Sequence, residues 1–444
     1  MKEGSLEAPT RHAIPWRDPD FTNPEKLDAE LRRVFDICHG CRRCFNLCDS
    51  FPRLFDLIDG SESGELDTVD SADFKPVIDA CTLCDMCFMT KCPYVPPHEF
   101  DLDFPHLMLR YRVMENAQGK IGPLRRRLNE TDANGKLASM APSLVNWASG
   151  RNNKLTRPIL ESVAGIHRDA ELPKYHAKTF ARVAKTVEQK NPLRKAVLYA
   201  TCFVNYNNPD IGAAAQAVLA KLGVATEVIY PTCCGMPQLE QGDIARVAET
   251  ALRVAEELGG WIDKGHDVIG LVPSCTLMLK FEWPLIQPDD AAVARLAAAT
   301  YDINEYVVDI AKNEGMPDGM AALGGDVALH LACHARAQNM GPKAAEMLRL
   351  IPDTKVDVIE RCSGHGGAWG VMKENFDTAL KVGRPAARKA LESGASHVVS
   401  ECPLAREHLL QGMEKLSDDG RAADLSQVQH PIQLMAKAYG LDRE

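Results

Sequence analysis

The sequence lacks long hydrophobic runs and a surplus of basic residues. No apolar run approaches the ~20 residues that a membrane-spanning helix needs. Residues 1–16 carry charges and prolines where a secretion signal has its apolar core, so export is not expected. The 51 basic and 61 acidic side chains give a net charge of −10. This excess of acid argues against nucleic-acid binding, which usually requires a basic surface.

Sequence signatures of the common organic cofactors are also absent. The chain contains no G-x-G-x-x-G after a strand, no G-x-x-x-x-G-K-[ST], no G-x-S-x-G and no H-E-x-x-H. We therefore expect it to bind no flavin, NAD or ATP. Two-electron organic chemistry would then need either a flavin on a partner protein or a metal centre in this chain.

Cysteine is the residue type that stands out. Of 15 cysteines, eight lie between residues 38 and 92 and seven between residues 202 and 402, with none in residues 93–201. Cysteines that served only as small buried hydrophobes would be scattered through every core segment. A chain of 444 residues does not need disulfides for stability. The grouping therefore predicts metal or redox chemistry in a reducing compartment.

The first eight cysteines form two closely spaced runs, C-x2-C-x2-C-x3-C and C-x2-C-x2-C-x4-C-P. Both resemble the bacterial ferredoxin signature, in which three close thiolates bind one [4Fe–4S] cluster and the fourth cysteine reaches the other. The longer second run and Asp49, where proline is usual, depart from that signature. Zinc bound by paired cysteines is the alternative. The resemblance implies one cluster on Cys38, Cys41, Cys44 and Cys92 and a second on Cys81, Cys84, Cys87 and Cys48.

Helical periodicity surrounds these two runs. Apolar residues recur at helical intervals in residues 51–58, 74–78 and 107–113. Residues 27–115 are similar to the α-helical ferredoxin domain of the iron–sulfur subunit of succinate dehydrogenase. We expect residues 1–26 to be an extended N-terminal segment. Residues 116–190, interrupted by glycine and proline, are expected to form a helical connector without a chemical signature.

From residue 191 onward, strand and helix patterns alternate in two copies. Each copy has three short apolar strand candidates, and a cysteine follows each of them: 196–200, 226–230 and 268–272, then 327–331, 356–359 and 397–400. Corresponding cysteines are 131, 129 and 127 residues apart, so the copies agree within a few residues. We expect parallel sheets with the cysteines gathered at the carboxyl ends of the strands.

The seven later cysteines resemble the tandem CCG family. Its members include heterodisulfide reductase-type subunits, the C subunit of anaerobic glycerol-3-phosphate dehydrogenase and rubrerythrin-associated homologues. The resemblance implies an α/β fold with duplicated CCG domains over residues 191–320 and 321–444, each suited to an iron–sulfur cluster. Neither copy has the closing C-x-x-C of the family, which puts heterodisulfide reduction itself in doubt. The first domain would bind a [4Fe–4S]-type cluster through Cys202, Cys233, Cys234 and Cys275.

The second domain retains three cysteines, namely Cys333, Cys362 and Cys402. Ser363 stands where the paired cysteine belongs. Three alternatives remain for this site. It binds a cluster whose fourth iron takes water or a histidine, with His334 and His365 as candidates; it binds a three-iron or labile cluster; or it keeps only the fold.

The leading interpretation is an iron–sulfur electron-transfer subunit. The resemblance implies that electrons pass between a flavoprotein or other redox partner and a quinone or rubrerythrin-type acceptor. It also implies a cytoplasmic protein that attaches peripherally to the inner membrane through the complex to which it belongs. A reductase whose C-terminal cluster acts on substrate is the alternative, and a cluster-assembly or metal-storage protein is a third.

Overall fold

The computed structural model describes residues 4–5, 7–417 and 428–442. The predicted segments 1–26 and 321–444 therefore lie partly outside the described residues. The strands are β1 Arg194–Tyr199, β2 Val224–Ile229, β3 Asp267–Gly270, β4 Thr300–Asp302, β5 Val327–His330, β6 Val356–Ile359 and β7 His397–Ser400.

Helices make up most of the regular structure. The first ten are α1 Pro24–Cys41, α2 Ser50–Asp59, α3 Lys75–Asp79, α4 Met86–Thr90, α5 Phe104–Ala117, α6 Pro123–Leu128, α7 Thr131–Ala138, α8 Pro142–Ser149, α9 Arg157–Ala164 and α10 Phe180–Val183. The next eight are α11 Cys202–Tyr206, α12 Pro209–Lys221, α13 Met236–Glu240, α14 Ile244–Ile262, α15 Pro273–Leu277, α16 Trp283–Ile286, α17 Ala291–Ala298 and α18 Ile303–Asn313. The last five are α19 Cys333–Ala337, α20 Lys343–Leu348, α21 Phe376–Ser393, α22 Pro403–Leu416 and α23 Pro431–Ala438.

Helix α1 shows how the N-terminal helices position the first cysteine run. Asn23 caps the helix by accepting a hydrogen bond from the Lys26 amide, and proline occupies the first turn. The buried face carries Leu27, Leu31, Val34 and Phe35, at the spacing of one helical stripe. The helix ends at Arg42, whose φ of 54° is left-handed. Cys38 and Cys41 therefore lie on the last turn, beside the chain reversal that leads to Cys44.

The periodicity of residues 51–58 and 107–113 corresponds to α2 and α5. Phe51 and Phe104 pack with ring centroids 4.6 Å apart, and Phe35 meets Phe74 edge-on at 5.0 Å. The aromatic side chains thus join α1, α2 and α5 into one core. This core holds both cysteine runs at its edge.

Two small parallel sheets follow, as the strand pattern predicted. The first has the order β2-β1-β3-β4 and the second β6-β5-β7. All pairs are parallel, with register Val197↔Glu227 and Val197↔Val268 in the first sheet and Leu329↔Val358 in the second. The central strands are buried on both faces, which explains their continuous apolar sequences.

In the first sheet β4 pairs with β3, and the described residues contain no strand that pairs with β7 in the same way. A segment of the chain nevertheless lies beside β7 at that place. The Ser400 amide at the end of β7 donates to the Gln429 carbonyl at 3.1 Å. Asp302 then caps α18 with Glu305 as its reciprocal partner, and His430 caps α23 with Gln433 in the same role. The duplication therefore extends through the fourth strand position and the helix that follows it.

The connector packs against both copies through short helices. The Asn129 side chain donates to the Pro237 carbonyl at 3.2 Å in the first copy. The His167 amide donates to the Val371 carbonyl at 2.8 Å in the second. Between these anchors, α7 to α9 leave large apolar side chains exposed: Leu137, Met140, Leu144, Trp147, Leu155, Ile159 and Val163. In the described part of the chain, no helix is both long and apolar enough to cross a membrane.

Candidate functional site

The structure brings the first predicted cysteine set together at the end of α1. Cys38, Cys41, Cys44 and Cys92 line one small cavity, which Tyr94 and Pro93 help to close. Burial raises the pKa of the Cys38 thiol, and the neighbouring Cys92, Cys44 and Cys41 raise it further. Thiolates placed this close together repel one another, so this set is suited to bind a cationic group, which would remove that repulsion.

The second set surrounds the turn before α4. Burial is the largest cause of the raised pKa of Cys87. Its neighbours raise it further, in the order Cys84, Cys81, Cys44 and Cys48. Cys48 comes from the chain just before α2, where burial raises its pKa and the nearby Cys84 and Cys81 raise it further. Leu83 and Asp85 adopt positive φ values of 47° and 62°, which wind the chain tightly around these cysteines.

Arg112 of α5 holds the turn of the second set in place. Its guanidinium donates to the Ile78 carbonyl at 2.9 Å and to the Cys81 carbonyl. It also donates to the Glu240 carbonyl at 3.2 Å, at the end of α13. One side chain thus joins the N-terminal helices to the first sheet domain.

The N-terminal segment makes a second such connection. The Arg11 guanidinium forms ion pairs with Asp85 at 2.8 Å, Asp103 at 2.7 Å and Glu282 at 3.3 Å. These carboxylates belong to the cysteine turn, to the cap of α5 and to the first sheet domain. Because all four side chains are largely buried, breaking one pair would leave an uncompensated charge inside the protein.

The first sheet domain gathers its four cysteines at the carboxyl ends of β1, β2 and β3. Cys202 begins α11, Cys233 and Cys234 follow β2, and Cys275 lies in α15. The Sγ atoms of Cys202 and Cys233 are 3.8 Å apart. Hydrogen bonds with Cys233 and Cys275 raise the pKa of Cys234. Gly235 follows with a φ of 87°, which allows the chain to turn into α13.

The second sheet domain places its three cysteines in the same way. Cys333 begins α19, Cys362 follows β6 and Cys402 caps α22. The Gly364 amide donates to the Cys362 Sγ at 3.3 Å. A hydrogen bond with Cys333 lowers the pKa of Cys362 to about 7. Ser363 is buried at the position that Cys234 holds in the first domain.

The cysteine nearest to this incomplete group comes from the N-terminal half of the chain. Hydrogen bonds with Cys362 and with Cys84 raise the pKa of Cys333. The two cysteine-bearing helices α4 and α19 are packed against each other. The second set and the second sheet domain therefore touch through Cys84 and Cys333, a contact that the sequence did not predict.

The two candidate histidines have different surroundings. His334 is engaged at both ring nitrogens, with the Ser274 hydroxyl at 2.8 Å and the Leu83 carbonyl at 3.2 Å. It joins the first sheet domain to the turn of the second cysteine set. His365 lines the cavity, and burial, followed by the nearby His408, lowers its pKa to about 3.

A single cavity of ≈ 280 Å³ faces all seven cysteines of the two sheet domains and also Cys84. The two domains meet across it, since burial and, to a smaller extent, the Cys275 thiol of the other domain raise the pKa of Cys402 to about 11. The connector contributes to its wall, because the Thr131 hydroxyl donates to the Cys233 Sγ at 3.3 Å. This role of the connector was not predicted, because nothing in the local sequence around Thr131 marks it.

A [4Fe–4S] cluster places different demands on its ligands from those of a single metal ion. In the described residues, no three or more His, Cys, Asp or Glu side chains are placed to hold a metal ion between them. In a [4Fe–4S] cluster each iron takes one thiolate, so the sulfur atoms surround the cluster without meeting at one point.

Comparisons with known proteins agree with this arrangement. The family model of the CCG cysteine-rich domain matches residues 196–280 and 327–406. Lactate utilization protein A of Geobacillus kaustophilus is 31% identical over 190 residues, which are 40% of this chain and 74% of that protein. The C subunit of anaerobic glycerol-3-phosphate dehydrogenase from Escherichia coli is 28% identical over 318 residues, 70% of this chain and 76% of that protein.

A third relative is named as a subunit of a reductase. The B subunit of fumarate reductase (CoM/CoB) from Methanothermobacter marburgensis is 23% identical over 359 residues, 76% of this chain and 68% of that protein. The duplicated sheets, the placement of the seven cysteines and these matches lead to one assignment. The chain belongs to the family of proteins that carry the CCG cysteine-rich domain, and it carries that domain in two copies.

Proposed function

We propose that this chain is an iron–sulfur electron-transfer subunit of a multi-subunit oxidoreductase. Electrons would pass between a flavoprotein or other redox partner and a quinone or rubrerythrin-type acceptor. The observation that carries the proposal is that the cysteine groups adjoin one another, with Cys84 against Cys333 and Cys275 near Cys402. Two relatives named as subunits of a dehydrogenase and of a reductase support it.

The N-terminal part, residues 27–115, serves in this proposal as a helical ferredoxin domain with two [4Fe–4S] clusters. Cys38, Cys41, Cys44 and Cys92 hold the first, in agreement with their shared cavity. Cys81, Cys84, Cys87 and Cys48 hold the second, in agreement with their mutual effects on the pKa of Cys87. Each cluster, when bound, supplies one-electron transfer, and the protein sets its potential through burial and hydrogen bonds to sulfur.

The first CCG domain holds a further [4Fe–4S]-type cluster on Cys202, Cys233, Cys234 and Cys275. The second CCG domain has Cys333, Cys362 and Cys402, so any cluster there leaves one position to a group other than a cysteine of its own domain. His334 would have to release Ser274 or Leu83 before binding iron. His365 lies at the cavity wall. Among the contacts of the described residues, its ring makes no hydrogen bond that would have to break before it bound iron.

Metal analysis tests this proposal directly. The protein purified without oxygen should contain iron and acid-labile sulfide for at least two [4Fe–4S] clusters and should show their EPR signals after reduction. Replacing Cys38 and replacing Cys87 by serine should each remove a different signal. Stoichiometric zinc with no sulfide would refute the proposal.

A reductase is the second candidate function, and the missing fourth thiol of the second CCG domain favours it. Three cysteines leave one position of a cluster open to a substrate, and all three line the shared cavity. Replacing Cys402 by serine should then abolish substrate turnover while the N-terminal EPR signals remain. Unchanged turnover in this variant would refute the reductase and leave the electron-transfer subunit.

The exposed apolar side chains of the connector support peripheral attachment of the cytoplasmic protein to a membrane. Leu144 and Trp147 share one face of α8, and Ile159 and Val163 share one face of α9. Met140 is 82% exposed and Trp147 is 57% exposed. The neighbouring α6 carries an exposed basic run, residues 125–127, which would meet anionic headgroups.

Sedimentation with vesicles tests the attachment. We expect the full chain to bind vesicles that contain anionic lipid, and the double variant Leu144→Ser, Trp147→Ser to bind at least about 10-fold more weakly. Leu252→Ser, on the exposed side of α14, is the matched control and should bind as the parent chain does. Equal binding of all three proteins would contradict attachment through the connector.

A further inference from the structure

A second cavity adjoins the cysteine-lined cavity. It has a volume of ≈ 370 Å³ and reaches the surface beside the exposed helix α6. The two cavities share part of their walls: Thr82, Leu128, Asn129, Glu240, Gly366 and Ala368. Of these shared residues, Glu240 is the only one with an ionisable side chain. It therefore stands between the cysteine groups and the outer cavity.

The position of Glu240 follows directly from the CCG motif. The chain turns at Gly235, and α13 runs from Met236 to Glu240, so the carboxyl lies one short helix away from Cys234. Opposite it, a Cβ on Gly367 would lie 3.0 Å and 3.1 Å from the two carboxylate oxygens. The glycine of the second domain thus leaves the space that the carboxyl group occupies. Both CCG domains build the surroundings of Glu240.

The groups around this carboxyl are few and known. Arg112 donates to the main-chain carbonyl of Glu240, and its charge acts on the carboxyl together with that of Arg125. Asp79, Glu374 and Cys81 line the outer cavity, and His330, His334 and His365 line the inner one together with Cys84 and the seven cysteines of the sheet domains. Burial outweighs the two arginines and raises the pKa of Glu240 to about 7. Near neutral pH the group can therefore both bind and release a proton.

We propose that Glu240 takes up a proton from the outer cavity when an electron enters the cysteine-lined cavity, and releases it when the electron leaves. This inference rests on the proposed function, since the electron must have a cluster to occupy. For each electron delivered by the redox partner, one proton from water converts the carboxylate to the acid. Oxidation reverses both transfers, so charge and atoms balance. The added negative charge in the cavity favours the protonated acid, which couples the two events.

The pH dependence of a reduction potential measures this coupling. The EPR signals of the cluster in this cavity are identified as those that Cys234→Ser removes from the spectrum of the full chain. Their midpoint potential should fall as the pH rises above about 7, with a slope of up to one proton per electron. In Glu240→Gln the slope over this range should disappear. Glu257→Gln, which removes an exposed carboxylate from α14, should keep the parent slope.

Infrared difference spectra give a readout that needs no substrate. Reduction of the parent protein should produce the stretching band of a protonated carboxyl group, and Glu240→Gln should lack it. Glu240→Asp keeps a carboxyl group and should shift the band, which covers the case that the glutamine variant does not fold. An unchanged slope and band in Glu240→Gln, or an unshifted band in Glu240→Asp, would overturn the inference. Absence of all cluster signals from the parent protein would instead refute the proposed function.

Discussion

The two CCG domains share their sheet order and the placement of their cysteines, but different groups complete the two sites. In the first domain Cys234 supplies a fourth thiol, and Thr131 of the connector donates to Cys233. In the second domain Ser363 takes the place of that thiol, and the nearest outside cysteine is Cys84. One copy thus has four thiols of its own, while the other has three and lies against a cysteine from the N-terminal half of the chain. Duplication kept the fold and gave the two sites different neighbours.

The largest effect should come from breaking the contact that only the second domain makes. In Cys84→Ser we expect loss of the second N-terminal cluster, a changed EPR signal from the second CCG domain, and electron transfer slowed on the order of 100-fold or more. Cys81→Ser is the matched control, since it removes a ligand of the same cluster without touching Cys333. If both variants leave the signal of the second CCG domain unchanged, the contact is only structural.

Ser363→Cys should make the second domain resemble the first. The new thiol would lie at the buried position that corresponds to Cys234, and a cluster with four thiolates should lose iron to a chelator about 10-fold more slowly. The release of iron under a strong chelator, followed by absorbance, measures this. The reverse change, Cys234→Ser, should speed release from the first domain. Equal rates in the parent and Ser363→Cys would show that the missing thiol does not limit cluster retention.

The two motif glycines should differ in their tolerance of a side chain. Gly364 has a φ of 79°, and a Cβ there would lie 1.9 Å from the Ala379 carbonyl oxygen. Gly235 has a φ of 87°, but the atom nearest to its Cβ would be a methyl carbon of Val247, at 3.3 Å. We expect Gly364→Ala to lower the free energy of unfolding by about 3 kcal/mol and Gly235→Ala by about 1 kcal/mol. Urea unfolding of the full chain measures both, and a reversed order would contradict the geometry.

The smallest effects are expected for Asp302 and His430, which cap α18 and α23. Their contributions to the pH dependence of the free energy of unfolding should have opposite signs. Burial raises the pKa of Asp302 from 3.8 to about 6, so the folded state binds more protons between these values and stability falls as the pH rises. Burial lowers the pKa of His430 from 6.5 to about 3. Here the unfolded state binds more protons in that window, so stability rises with pH.

Urea unfolding at pH 5 and pH 7 separates these two contributions. Relative to the parent chain, Asp302→Asn should gain stability between pH 5 and pH 7. The substitution removes the contribution of Asp302 to the free energy of unfolding, which falls as the pH rises. His430→Gln should lose relative stability over the same interval, because it removes one that rises. A change of the same sign in both variants would show that other groups control the pH dependence at these caps.

Much of the fold followed from local sequence. The apolar runs that became β5, β7 and the second half of β1 are buried, and such runs have few alternatives in an α/β chain. Boundaries were less accurate, since α5 runs from Phe104 to Ala117, beyond the apolar periodicity of residues 107–113 at both ends. Helix ends depend on caps and packing, which leave weaker signals than periodicity.

The candidate site was predictable only where its residues are neighbours in sequence or follow corresponding strands. The CCG string around Cys234 marks its own chemistry, and its spacing repeats in the second copy. Thr131 and Glu240 carry no such mark, because a threonine or a glutamate at the end of a short helix is common anywhere. Their importance comes from what lies opposite them, which is a property of packing.

The sequence by itself therefore determined which atoms are available for the chemistry. Cysteine type and spacing decide how many thiols each short segment can present, and strand periodicity decides that the later ones collect at one edge of each sheet. Only the tertiary structure decided how the groups connect. The contacts of Cys84 with Cys333 and of Arg112 with Glu240 join residues more than 100 positions apart. Such contacts depend on how whole helices pack, and no local pattern encodes that.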